Sequence, residues 1–187
     1  MTFENTDFRY EHLALNNPYD IKLITDFLKT GGFDYEVEEV ENTMILYNLN
    51  GDIIGTGSHK GNTLKYVYVC EQFRETSAFA DILNYFTDRL LAEHQTIFVF
   101  TKPTTAILFE QLGFSRIATA EPIFCVLEFG YKKISDYLDY LLQNKAETKT
   151  DKIAAIVVNC NPFTNGHKYL IEKAACENEI VYIYARW

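Results

Sequence analysis

The ten residues "KIAAIVVNCN", Lys152 to Asn161, constrain the fold more than any other stretch, because a near-continuous apolar run is the pattern of a parallel strand buried on both faces. Such a strand needs a crossover behind it. The following residues supply one: a short turn with Pro162 and Gly166, a helical stretch "GHKYLIEKAACEN", and a second apolar strand "EIVYIYA". Together they make one β-α-β unit of about the ~30 residues that such units require. Sheets of this construction bind ligands at the carboxyl ends of their strands. The turn from Asn161 to His167 occupies that location.

The residues ahead of this unit have a different character. "FRYEHLAL", Phe8 to Leu15, reads as a strand, and "PYDIKLITDFLKTGG" reads as a helix opened by Pro18 and stopped at Gly31 and Gly32. "MILYNLNGDIIGTG" places two β-rich runs around Asn50-Gly51, and "HKGNTLKYVYV" adds a turn at Gly61-Asn62 and a third strand. An antiparallel meander is expected. "SAFADILNYFTDRLLAEH" aligns Phe79, Ile82, Leu83, Phe86 and Leu90 on one helical face behind Ser77 as N-cap, and "TIFVFT" reads as a buried strand. A short helix from Pro103 to the turn at Gly113 and two closing strands in "SRIATAEPIFCVLEFG" complete this part. A helix in "KKISDYLDYLLQN" and a polar linker, "KAETKTD", lead to the β-α-β unit. The expected organisation is therefore residues 1–131 as a first domain, 132–151 as helix and linker, and 152–187 as the start of a second domain.

Charge removes some functions. With 17 basic against 26 acidic residues the net charge is −9, and no window collects Lys or Arg, so a nucleic-acid partner is not expected. No apolar run approaches the ~18 residues of a membrane span, and "MTFENTDFRYEH" has no signal-peptide pattern, which points to a cytoplasmic chain without a membrane partner. Cys70, Cys125, Cys160 and Cys176 form no Cys-x-x-Cys pair and read as small buried hydrophobes; no metal-ligating residues are assigned.

The element order before Gly130, with "LFEQLGF" (Leu108 to Phe114) near its end, resembles the acyl-CoA N-acyltransferase fold of the GNAT superfamily over about residues 8 to 130. The resemblance implies a mixed sheet with flanking helices. In that family a Gly-rich loop at a helix N-terminus binds the acyl-CoA pyrophosphate through bare amides. Here Arg74 matches a basic position, but Glu75, Thr76 and Ser77 stand where the glycines belong. A carboxylate at Glu75 repels phosphate, so acetyl-CoA is not an expected cofactor, and Glu75 and Ser77 read as helix caps.

Thr164-Asn165-Gly166-His167 resembles the T-x-G-H form of the nucleotidyltransferase signature, found where ATP phosphates lie over a helix N-terminus. The fold class is thus α/β with an α+β first part: a GNAT-like mixed sheet, then the first β-α-β unit of a Rossmann-like nucleotidyltransferase domain. A GNAT-like part directly followed by "AAIVVNCNPFTNGHKYLIEKAA" is similar to the citrate lyase ligase family. That resemblance implies ATP-dependent acetylation of the prosthetic-group thiol on the citrate lyase acyl carrier subunit, through an acetyl-adenylate formed from acetate. It implies His167 and Thr164 as catalytic residues, Asn161, Pro162, Phe163 and Gly166 as shapers of the nucleotide loop, and Mg2+ beside the triphosphate. A family domain has further β-α units, so the sequence reads as a truncated ligase. A working acetyltransferase and a non-catalytic docking fragment are the alternative readings.

Overall fold

The computed structural model describes residues 8–147 and 149–186, with the Arg186 side chain outside the description. It divides into two compact units, Met1–Asp139 and Tyr140–Trp187. In the first unit the elements run β1 (Arg9–His12), α1 (Pro18–Thr30), β2 (Asn42–Tyr47), β3 (Ile53–Lys60), β4 (Thr63–Val69), α2 (Ala78–Glu93), β5 (Thr96–Thr101), α3 (Pro103–Glu110), β6 (Ser115–Ala120) and β7 (Phe124–Gly130). Helix α4 (Ile134–Gln143) carries the division between the units, at Asp139 and Tyr140.

Seven strands form one sheet in the order β1-β2-β3-β4-β5-β7-β6. Neighbours are antiparallel except β4 and β5, which are parallel and paired at Thr63↔Phe98 and Leu64↔Val99 only. The strands part beyond Leu64. The cause lies in β4: Ser58 pairs with Lys65 and Thr56 with Tyr68, so two residues oppose Gly57, and Tyr66 takes a φ of 50°. A bulge of this kind bends its strand and reverses the facing of every later side chain. Accordingly Leu64, Val67 and Val69 pack on the α2 side, whereas Tyr66 and Tyr68 pack with Ile24 and Leu28 of α1 on the other.

Helix α2 rests directly on β3, since a Cβ at Gly57 would lie 2.6 Å from the Phe86 ring and one at Gly55 would lie 2.8 Å from Ile82 Cδ1. Phe86, Ile82 and Leu83 are fully buried there with Met44, Ile97 and Leu127. The buried polar atoms on the other face of β2 and β3 are matched: Thr43 Oγ1 meets Ser58 Oγ at 2.8 Å, and Thr56 Oγ1 donates to the Met44 carbonyl at 2.8 Å.

Several expectations need correction. The first strand is shorter than Phe8–Leu15, because Asn17 N–H bonds the Ala14 carbonyl and turns the chain toward α1. Strand β5 is buried on one face only: Ile97 and Val99 are covered, while Phe100 is 60% exposed. Ser77 does not cap α2 through its side chain; its hydroxyl donates to Asp81 at 2.8 Å, and Thr76 Oγ1 takes the Ala78 N–H instead. The cysteines are not uniformly buried, since Cys125 is enclosed, Cys70 and Cys160 are half-buried and Cys176 is exposed. Burial raises the Cys125 thiol pKa.

The second unit contains β8 (Ile153–Asn159), α5 (Asn165–Glu177) and β9 (Ile180–Arg186). Strands β8 and β9 are parallel in continuous register from Ile153↔Ile180, so the β-α-β unit forms as its pattern predicts. Burial of β8 on both faces does not occur. Ile156 is covered and Val157 is 83% exposed, the alternation of a sheet with one covered face. Within the second unit β9 is the strand beside β8, and α5 is the helix packed on the pair.

Candidate functional site

The turn joining β8 to α5 brings all six sequence-predicted site residues to one place, at the carboxyl end of β8. Asn161, Pro162 and Phe163 form its outer part and are exposed, as are Thr164 and Gly166; His167 is half-buried. The Phe163 ring lies 5.8 Å from the His167 ring, tilted by 36°, and fences one side of the imidazole.

Thr164 and His167 are joined reciprocally. Thr164 is the N-cap of α5, in extended conformation, and its Oγ1 accepts from the His167 N–H at 3.4 Å. His167 Nδ1 in turn accepts from the Thr164 N–H at 3.1 Å and lies 3.1 Å from Thr164 Oγ1. This is a capping box with His in the place usually held by Glu or Gln. The signal was present in the sequence as a Thr and a hydrogen-bonding side chain three positions apart. The reading of these residues as ligand groups did not include this mutual bond.

The cap leaves donors over. Lys168 N–H closes onto the Thr164 carbonyl, while the amides of Asn165 and Gly166 have no partner recorded among the described residues. Two bare amides at the positive end of a helix favour an anion. No acidic residue sits in the first turn of α5. Gly166 is not required by the backbone: its φ lies outside the left-handed region, and an added Cβ would meet only Thr164 Oγ1, at 3.6 Å.

The N-terminus of α2 in the first unit is built differently. Glu71–Phe73 make a 3-10 turn before it, Arg74, Glu75, Thr76 and Ser77 are exposed, and Asp81 stands in the first turn. Sequence reasoning also missed a hydrogen-bonded chain on the first unit, in which His12 meets Asn42 Oδ1 through Nδ1 and the Tyr85 hydroxyl through Nε2. No motif spacing announces it, because the three residues come from β1, β2 and α2.

Comparison with known proteins assigns both parts. The class is that of a GNAT-type fold: an acetyltransferase of the GNAT family from Staphylococcus aureus Mu50 superimposes with a TM-score of 0.53 at 13% identity, over 66% of this chain and 100% of that one. Spermidine N-acetyltransferase from Vibrio cholerae gives 0.53 at 13% identity, over 73% and 99%. At these identities the likeness is one of fold. Residues 153–185 match the family model of the citrate lyase ligase C-terminal domain. The chain is a citrate lyase ligase homologue. It is 30% identical over 165 residues to the [citrate [pro-3S]-lyase] ligase of Haemophilus influenzae, covering 88% of this chain and 48% of that protein. The Escherichia coli ligase is 28% identical over 152 residues, covering 81% and 43%. The chain thus spans about half the length of these relatives.

Proposed function

We propose that the turn between β8 and α5 binds the phosphates of ATP for an AMP-forming acid-thiol ligase reaction. In this reading a carboxylate oxygen of acetate attacks the α-phosphorus, the bond to the bridging oxygen of the β-phosphate breaks, and pyrophosphate leaves. The thiol of the citrate lyase acyl carrier subunit then attacks the acetyl carbonyl of the adenylate. AMP departs, and the thiol proton is lost to solvent.

What supports the reading is the pair of bare amides at Asn165 and Gly166 beside the His167 ring, within the segment matched by the ligase C-terminal domain. Transfer at phosphorus gathers charge on its oxygens, and donors already aimed at them lower the barrier. Asn165, Gly166 and His167 are such donors; Asn161, Pro162 and Phe163 bound the space in front. Magnesium would accompany the triphosphate, held largely by the phosphate oxygens and water, and would share their charge. Residues 1–131 take a structural or docking role in this scheme, 132–151 connect, and 152–187 open the nucleotide-binding domain.

The test is acetate-dependent exchange of labelled pyrophosphate into ATP, with His167→Ala as control. Exchange that disappears in the variant supports the assignment; exchange that survives it removes His167 from the chemistry.

A further inference from the structure

The family resemblance implies both Thr164 and His167 as catalytic residues, but their geometry divides the work. A backbone N–H can only donate, so the bond from Thr164 N–H to His167 Nδ1 requires the Nδ1 lone pair. The neutral ring therefore carries its proton on Nε2. Thr164 Oγ1 is committed too: it accepts the His167 N–H and lies beside the same Nδ1. Both polar groups of Thr164 thus point into the cap, and Nε2–H is the donor left to face outward, with Phe163 alongside the ring.

We propose that Thr164 is a positioning residue, which fixes the His167 tautomer and ring orientation so that Nε2–H, and not the Thr164 hydroxyl, meets the anion. The inference rests on reading the turn as a phosphate site, yet its first half concerns this chain alone.

Two measurements test it. Long-range 1H–15N correlation spectra of the histidine-labelled chain at mildly alkaline pH, assigned with His167→Gln, read the tautomer directly. The expected result is a single Nε2–H form for His167, retained in Thr164→Ser and drifting toward the mixture of a free histidine in Thr164→Val, because losing the Oγ1 cap on the His167 N–H opens the turn that holds the Thr164 N–H against Nδ1. A ring protonated on Nδ1, or already mixed in the native chain, overturns the positioning role. The second measurement is calorimetric titration with ATP of Thr164→Val, His167→Gln and the double variant. If Thr164 acts through His167, each single change weakens ATP by a similar factor, about tenfold for one 1.4 kcal/mol hydrogen bond, and the double variant is no worse than His167→Gln. A further loss in the double variant means that Thr164 touches phosphate itself and refutes the proposal. Failure of the native chain to bind ATP removes the phosphate reading instead, while the ring spectra still decide the tautomer.

Discussion

Gly166→Ala separates what the fold needs at the head of α5 from what a ligand needs. Nothing in the folded chain demands glycine there, since the added Cβ would find one neighbour, Thr164 Oγ1, at 3.6 Å. Alanine also loses less backbone freedom on folding than glycine, which is worth about 0.5–1 kcal/mol within a helix. The variant is therefore expected to stabilise α5 by roughly that amount, at the lower end because the position lies in the first turn. ATP should respond in the opposite sense. A methyl group over the bare amides keeps a phosphate from closing on them, and one hydrogen bond to a charged group contributes about 1.5–3 kcal/mol, a loss of roughly tenfold to a hundredfold in affinity. Native-state hydrogen exchange of the α5 amides reads the first effect, and calorimetry with ATP the second. Slower exchange together with weaker ATP binding is the expected pair. Unchanged ATP affinity would refute the argument, because glycine would then serve neither fold nor ligand; faster exchange would show that the open space above Gly166 is not open.

Two further perturbations probe the first unit. Gly57→Ala places a Cβ 2.6 Å from the buried Phe86 ring, and overpacking of that kind costs about 1–3 kcal/mol; a denaturant midpoint that does not fall would mean that α2 is not seated on β3. Glu39 accepts a hydrogen bond from Lys65 at 2.8 Å and has Lys60 at 3.7 Å, which holds its carboxyl below the usual carboxylate range. A carboxyl lowered on folding stabilises the chain above its unfolded pKa, and that contribution disappears as pH falls through the folded value. The Tm difference between the native chain and Glu39→Gln is expected to be widest near neutral pH and to close on acidification, and a difference independent of pH would show that the Lys pair contributes nothing.

How much of this was legible depended on whether the signal was local. Asn50-Gly51 and Gly61-Asn62 announce turns because glycine supplies the left-handed φ they use, 86° at Gly51 and 52° at Gly61. Pro18, Pro103 and Gly113 mark helix ends for equally local reasons. The bulge at Tyr66 is different: "LKYVYV" shows plain alternation, and the reversal of facing appears only when the β3 register is known. The exposure of Phe100 and Val157 is also non-local. An apolar run states what a strand is able to bury, whereas the neighbouring layers decide what it does bury. At the candidate site the residues were legible and their division of labour was not, because a four-residue signature carries no record that Thr164 and His167 bond to each other.

The N-termini of α2 and α5 make a direct contrast in anion chemistry. Both α2 and α5 present first-turn amides, so the helix dipole alone does not distinguish them. Their surroundings do. Before α2 stand Glu71 and Glu75, Asp81 follows in the first turn, and side chains occupy every position where an approaching pyrophosphate needs bare backbone. Before α5 the turn from Asn159 to Thr164 contains no carboxylate, and glycine occupies the second helical position. β4 and β5 are unpaired beyond Leu64, yet the charge at the start of α2 has the wrong sign for a diphosphate. Calorimetry with acetyl-CoA is therefore expected to give no saturable heat for the native chain, and removing two negative charges in Glu75→Ala/Asp81→Ala should bring binding into range if repulsion is the obstacle. One-to-one binding by the native chain would overturn the electrostatic argument, because backbone donors at α2 would then outweigh the carboxylates around them.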